Sequence, residues 1–290
     1  MIFDYFIKYK SQNTYENQVF EAIWQFMVTP ENNETQEMVS KDFKTSLDTK
    51  IETSINGLGF ETERIHCKRP FTDIFFEAEF KIKKKEINPY DFLSSFDPVS
   101  DYKFLKDLSF KIDFEPYLRA TELTKLPVKY AKIYEFDQEK NIFENLLDLN
   151  DWVYKKIFFK VGVTHVGTLL EEIVEERHGV CQDFTHLFCA IARTNGIPSR
   201  YVSGYLHQGD GFFGDSQMHA WAEVYIPNVG WVGFDPTNDM LANHNHIKVA
   251  HGKDYNDCAP LKGVVYSTGK NHTKYEVVVI HNQQAVQSEQ

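Results

Sequence analysis

The hydrophobic pattern changes its period along the chain, and this change limits the possible folds more than any other feature of the sequence. From Val19 to Val28, and again from Ile74 to Ile82, aromatic and β-branched residues partly alternate with polar ones, as in half-buried strands. Turn-forming Asn and Gly residues at 56–59 separate such runs. The first hundred or so residues therefore predict an antiparallel, sandwich-like β region with a structural or substrate-orienting role.

After the stretch from Pro89 to Pro98, apolar residues fall at helical spacing instead. These residues are Phe143, Leu146, Leu147, Trp152, Val153, Ile157 and Phe158. A second helix is predicted at 168–177, with Thr168 as its N-cap. A third is predicted at 181–194, because Gly196 and Pro198 are typical of the residues that follow a helix end.

Strand signals return beyond the third helix, at 200–206, 219–226, 231–234 and 274–280. Helices that are followed by antiparallel strands indicate the α+β class. We therefore expect two domains. Residues 1–120 would form a β-rich N-terminal domain, and residues 121–290 would form a second domain with helices packed on an antiparallel sheet.

Composition excludes several classes of function. Of the 290 residues, 42% are hydrophobic and 25% are charged, as in ordinary soluble domains. The net charge of −11 argues against a nucleic-acid partner. No apolar stretch approaches the roughly 20 residues of a membrane-spanning helix, and no secretory signal is recognisable. We expect a cytoplasmic protein that binds neither nucleic acid nor membrane, and the oligomeric state stays open.

The four cysteines are scattered along the chain, at 67, 181, 189 and 258, without the spacing of a zinc or redox motif. Free thiols are therefore expected. Cys181 would open the third helix, where unpaired N–H groups and the helix dipole favour a thiolate. Taken alone, Cys181 could equally be a small buried residue, and Cys189, two turns further along, is expected to be one.

A reactive thiolate needs a histidine, which a carboxylate or amide orients in turn. His219 begins one predicted strand, and Asp235 ends the next. In an antiparallel hairpin the two share a face only if paired residue numbers have an even sum. The connection after Ile226 must then hold an odd number of residues or contain a bulge.

Three segments of the chain resemble, in order and spacing, the Cys, His and Asp motifs of the transglutaminase-like superfamily. They are Gly179-Val180-Cys181-Gln182-Asp183-Phe184, Met218-His219-Ala220-Trp221-Ala222-Glu223-Val224 and Gly230-Trp231-Val232-Gly233-Phe234-Asp235-Pro236-Thr237-Asn238. The resemblance covers roughly residues 140–280, and the β-rich first part is similar to the N-terminal region of bacterial members. It implies a papain-like fold with Cys181, His219 and Asp235 as a catalytic triad.

The resemblance leaves three functions open: hydrolysis of a peptide or amide bond, acyl transfer to an amine, and a non-catalytic binding module. The substrate would be a peptide, a protein or a small amide. Trp221, and Phe212 with Phe213 in a Gly-rich segment, are candidates for the wall of the substrate cleft. We expect no cofactor and no metal. His244 and His246 lie in a polar segment and are expected to be solvated.

Overall fold

The N-terminal region is a β-sandwich. In the computed structural model, described for residues 1–91, 98–207 and 217–282, six strands precede the first helix. They are β1 Ile2–Val19, β2 Glu21–Phe26, β3 Gln36–Thr45, β4 Ile51–Ile55, β5 Glu61–Cys67 and β6 Phe71–Lys85. β1 pairs with β6 and β6 with β3, while β2 pairs with β5 and β5 with β4, all antiparallel. The prediction of an antiparallel β region is confirmed.

Alternation along the strands builds the core of the sandwich. In β1 the buried residues occupy every second position, including Tyr5, Ile7 and Tyr9. Between the two sheets, Phe26 stacks on Phe76 with ring centroids 3.9 Å apart. The abundant aromatic residues of the sequence therefore fill the space between the sheets.

Two C-terminal strands complete the sandwich. β14 Leu261–Tyr266 pairs with β2, and β15 Asn271–Asn282 pairs with β1. The predicted strand at 274–280 thus forms, but it joins the N-terminal sheet, where it covers an edge of the long strand β1. The sandwich therefore includes a segment that we had placed in the second domain, and the division at residue 120 stays a prediction.

The second region packs helices on a five-stranded antiparallel sheet, in the order β12-β11-β10-β9-β13. Its strands are β9 Ser199–Leu206, β10 His219–Ile226, β11 Gly230–Asp235, β12 Met240–Leu241 and β13 His246–Gly252. A separate parallel pair joins β7 Phe158–Phe159 to β8 His178–Gly179. The predicted α+β class is confirmed.

Seven α-helices lie in the described residues: α1 Pro98–Phe104, α2 Leu108–Asp113, α3 Glu115–Leu118, α4 Ile142–Lys156, α5 Leu170–Glu176, α6 Cys181–Thr194 and α7 Tyr255–Cys258. The predicted bounds of α6 are confirmed. The predicted cap of α5 is wrong: Leu169 is the N-cap. The hydroxyl of Thr168 instead accepts a hydrogen bond from the backbone N–H of His165.

The five-stranded sheet lies between α6 and the sandwich. Ala222, Val224 and Ile226 of β10 share an apolar core with α6 and α4. The sheet also contacts the sandwich, where the Tyr205 hydroxyl donates to the Val28 carbonyl at 2.6 Å. None of the described helices combines the length and the apolar character that a membrane span requires.

Candidate active site

Cys181 is the first residue of α6, and a set of local hydrogen bonds fixes this helix end. The buried Asp183 carboxylate accepts from the Val180 backbone N–H at 2.8 Å and from the Thr164 hydroxyl at 2.6 Å. A Cβ at position 179 would lie 2.7 Å from the Cβ of Asp183, so only glycine allows this close approach. Gly179 and Asp183 thus hold Cys181 where the first N–H groups of the helix have no intrahelical partner.

The register of β10 and β11 brings His219 and Asp235 together. Ala222 pairs with Phe234, so paired residue numbers have an even sum, and the three residues 227–229 connect the strands. The requirement deduced from the sequence is confirmed. His219 Nε2 lies 2.7 Å from Asp235 Oδ2, and both side chains are fully buried.

Asp235 is surrounded by hydrogen-bond donors. Oδ2 contacts His219, His246 Nε2 at 3.2 Å and Asn238 Nδ2 at 2.8 Å. Oδ1 accepts from the backbone N–H groups of Thr237 and Asn238. Burial alone would raise the pKa of Asp235, but the His219 charge and these hydrogen bonds outweigh it and hold that pKa well below its usual range. Asp235 is therefore a carboxylate at neutral pH.

The His219 side chain contacts both Asp235 and Cys181. Burial lowers the pKa of His219, but the charge and hydrogen bond of Asp235, together with contact with Cys181, raise it to about 10. Nε2 faces Asp235, whereas Nδ1 has no hydrogen-bond partner among the described residues. The imidazole can therefore carry a proton at neutral pH and exchange it with a group bound beside Cys181.

His246 is a buried part of this site, so the expectation that it is solvated is wrong. Its Nδ1 accepts from the backbone N–H of Asn243 at 3.2 Å, which places the proton on Nε2 for donation to Asp235. Burial outweighs the attraction of Asp235 and lowers the pKa of His246, so the ring is neutral. Sequence reasoning missed this burial because it predicted no strand at 246–252, so nothing placed His246 on the sheet beside Asp235.

Trp221 packs beside the two histidines. Its ring lies 6.4 Å from that of His219 and 5.2 Å from that of His246, measured between centroids. A Cβ at Gly204 would lie 2.6 Å from the indole, so this glycine makes room for the tryptophan. Trp221 shields the His219–Asp235 pair, and its role as a cleft wall stays a prediction. Phe212 and Phe213, the other wall candidates, lie outside the described residues.

Beyond Trp221, the same face of the sheet carries buried charges. Glu223 contacts Lys248 Nζ at 2.7 Å and Arg200 Nε at 2.6 Å. Burial alone would raise the pKa of Glu223, but these two cations lower it to about 2. From the sandwich, Lys84 Nζ donates to the His246 carbonyl at 2.5 Å. A cavity of about 550 Å³ adjoins these residues.

The other cysteines lack such surroundings. All four thiols are free as predicted, and Cys181 alone is only partly buried. Burial raises the pKa of the Cys189 thiol and of the Cys258 thiol, which opposes thiolate formation. Cys189 packs in the core of the second region, as expected.

His219, Asp235 and His246 form a group that could hold a metal ion, because their ligand atoms lie within 4.8 Å of one another. Both Nε2 atoms already contact Asp235 Oδ2. Hydrogen bonding therefore accounts for this geometry without a metal.

One family model matches the part of the chain that carries Cys181, His219 and Asp235. Residues 132–236 match the family model described as the transglutaminase-like superfamily. An uncharacterised protein of Mycobacterium tuberculosis is 36% identical over 172 residues, a match that covers 56% of this chain and 54% of that protein. The match thus spans about half the length of this relative. An uncharacterised protein of Mycobacterium leprae is 28% identical over 91% of this chain and 93% of its own length.

A crystal structure from Cytophaga hutchinsonii shares the fold. It superposes with a TM-score of 0.78 at 23% identity and covers 98% of this chain and 92% of its own. That protein is described as a provisionally assigned cysteine protease. The match includes the sandwich, and the predicted papain-like core preceded by a β-rich region is confirmed.

Proposed function

We propose that this protein is a cysteine-nucleophile hydrolase of peptide or amide bonds, which the match of residues 132–236 to the transglutaminase-like superfamily model supports. Cys181, His219 and Asp235 are its catalytic residues, and His246 is a positioning residue. The substrate is a peptide, a protein or a small amide.

The observation that supports this proposal most strongly is the direction of the His219 ring. Its Nε2 contacts Asp235 at 2.7 Å, while its buried Nδ1 has no hydrogen-bond partner among the described residues and Cys181 is in contact with the ring. An imidazole held in this way can stabilise a thiolate and protonate a leaving group.

In the acylation step, the Cys181 thiolate attacks the carbonyl carbon. The oxygen becomes an oxyanion beside the helix start, where the backbone N–H of Cys181 is one donor. When the C–N bond breaks, His219 donates its Nδ1 proton to the leaving amine, and a thioester to Cys181 remains. Asp235 stays ionised and orients the imidazole.

In the deacylation step, water attacks the thioester and loses a proton to His219. The C–S bond breaks, and the acid and the Cys181 thiolate are released. An amine in place of water would give a new amide, which is the alternative acyl-transfer activity. Hydrolysis is favoured because selection of an amine needs a second shaped site. The other alternative, a non-catalytic module, agrees less well with an intact triad.

The experiment is a mass-spectrometric assay with casein as substrate, with and without methylamine. Hydrolysis predicts cleavage or deamidation that does not depend on the amine and that Cys181→Ala abolishes. A mass gain that corresponds to methylamine would instead establish acyl transfer. Cys67→Ala is the matched control, because it also removes a free thiol but lies in the sandwich. Normal turnover by Cys181→Ala would overturn the proposal.

We also propose a cytoplasmic location, which the sequence-based expectation supports. Fractionation of the source cells tests it, and recovery of the protein in an extracytoplasmic fraction would contradict it.

A further inference from the structure

A recess of about 200 Å³ lies between the sandwich and the second region. The sandwich contributes Tyr9 of β1 and Tyr275 of β15, with Leu261 of β14. The second region contributes Val166 and Met218. Both parts of the chain are therefore needed to form it.

The recess borders the catalytic residues. Met218 directly precedes His219, and the Val166 carbonyl accepts from the side chain of Gln182, the residue after Cys181. Met218 and Cys181 also pack against the same apolar cluster. The recess is therefore lined by residues that adjoin both His219 and the start of α6.

The lining has one chemical character. In a chain with 25% charged residues, none of the described residues that line the recess carries a charge. Three of them are tyrosines, namely Tyr9, Tyr255 and Tyr275. A charged group placed there would lose its hydration without gaining an ionic partner.

The Tyr9 side chain brings a hydroxyl group to the lining of the recess. It is 1% exposed, and its hydroxyl has no hydrogen-bond partner of good geometry, although Ser11 lies near enough to affect its pKa. Burial raises the pKa of Tyr9, so the phenol stays neutral. A buried hydroxyl without a partner is destabilising, and a backbone carbonyl of a bound peptide would supply one beside the apolar side chain.

We propose that this recess is a specificity subsite that receives a bulky apolar or aromatic side chain next to the scissile bond of a peptide substrate. The inference rests on the proposed function, because Cys181 must be the nucleophile. It assigns a role to the sandwich: Tyr9 and Tyr275 form one wall of the substrate site.

The test uses acetyl-aminoacyl chloromethyl ketones with Phe, Leu, Ala, Glu or Lys side chains. The Cys181 thiolate attacks the methylene carbon, a C–S bond forms, and chloride leaves. The rate of alkylation is followed by intact mass and divided by the rate with iodoacetamide, which has no side chain. The Phe and Leu probes should react at least about tenfold faster than the Ala probe, and the Glu and Lys probes should be slowest.

Tyr275→Ala removes part of the wall at a residue that is 46% exposed, so folding should survive. It should reduce the ratio of the Phe rate to the Ala rate without changing iodoacetamide labelling. Tyr266→Ala, at an exposed tyrosine of β14 outside the recess, is the matched control and should leave the ratio unchanged.

Equal rates for all five probes, or a ratio that Tyr275→Ala leaves unchanged, would overturn the subsite while iodoacetamide still labels Cys181 selectively. Loss of that selective labelling would instead overturn the proposed function, and the subsite with it.

Discussion

One face of the five-stranded sheet packs on α6 through Ala222, Val224 and Ile226, whereas the opposite face of β10 carries His219 and Glu223. The first face is a dry core, whose contribution grows with the apolar area that it buries. The second is a buried polar network, whose members depend on one another because an unpaired buried charge is costly. Alternation along one strand thus separates stability from chemistry.

Asp235→Asn should cause the largest effect among the variants of the polar face. The amide has one acceptor oxygen in place of two and no charge, so an NH₂ group would face donors on one side of residue 235, and His219 would lose its orientation. We expect turnover to fall by about 10⁴-fold, as when such an orienting carboxylate is removed elsewhere. The measurement is kcat on the casein or peptide substrate found for the wild type. A fall of less than tenfold would mean that Asp235 does not orient His219.

Glu223→Gln tests whether the polar face depends on its charges. Removal of one partner from a buried ion pair should lower the free energy of unfolding by about 3–5 kcal/mol, because Lys248 and Arg200 would lose their anion. Urea unfolding at neutral pH measures it.

Leu187→Ala in α6 is the matched variant on the apolar face, where a cavity should cost about 2–5 kcal/mol. The loss of unfolding free energy in the two variants should respond differently to acid. The pKa of Glu223 is lowered to about 2 in the folded protein, so its contribution is present above the unfolded pKa and lost as pH falls through 2. The deficit of Glu223→Gln should therefore shrink in acid, while that of Leu187→Ala stays constant. Parallel deficits would contradict the distinction between the faces.

His246→Gln should have a smaller effect, on activity more than on stability. A hydrogen bond to a charged group contributes about 1.5–3 kcal/mol, which corresponds to about 10- to 100-fold in rate if the transition state needs it. Because His246 acts through Asp235, kcat should fall with little change in KM. His244→Gln, at the partly buried neighbour that stacks on Phe3, is the control. A change in KM alone would assign His246 to substrate binding.

His219 also predicts a pH dependence of stability. Its pKa is raised in the folded protein to about 10, so its contribution is fully present below the unfolded pKa of about 6.5 and lost as pH rises through 10. The stability difference between the wild type and His219→Gln should therefore shrink over this range. Lys84, whose pKa burial lowers to about 8, titrates in both proteins. The difference in stability between the two proteins removes this shared contribution. A constant difference would contradict the ion pair.

Local patterns allowed much of the site to be predicted. The helix that begins at Cys181 follows from its apolar face and its stop signal, and the shared face of His219 and Asp235 follows from alternation and loop length. The burial of His246 does not, because it depends on contacts with Lys84 of β6 and Asp235 of β11. Likewise, nothing near Tyr275 indicates that it pairs with Ser11 in β1. Long-range contacts of this kind leave no local signal.

The most direct test of the central claim is the rate at which iodoacetamide alkylates each cysteine, followed by mass spectrometry as a function of pH. In the wild type, Cys181 should react faster than the other three cysteines at mildly acidic pH. In His219→Gln this preference should be lost. Equal sluggishness of all four cysteines, or an unchanged pH profile in His219→Gln, would contradict an activated nucleophile at Cys181.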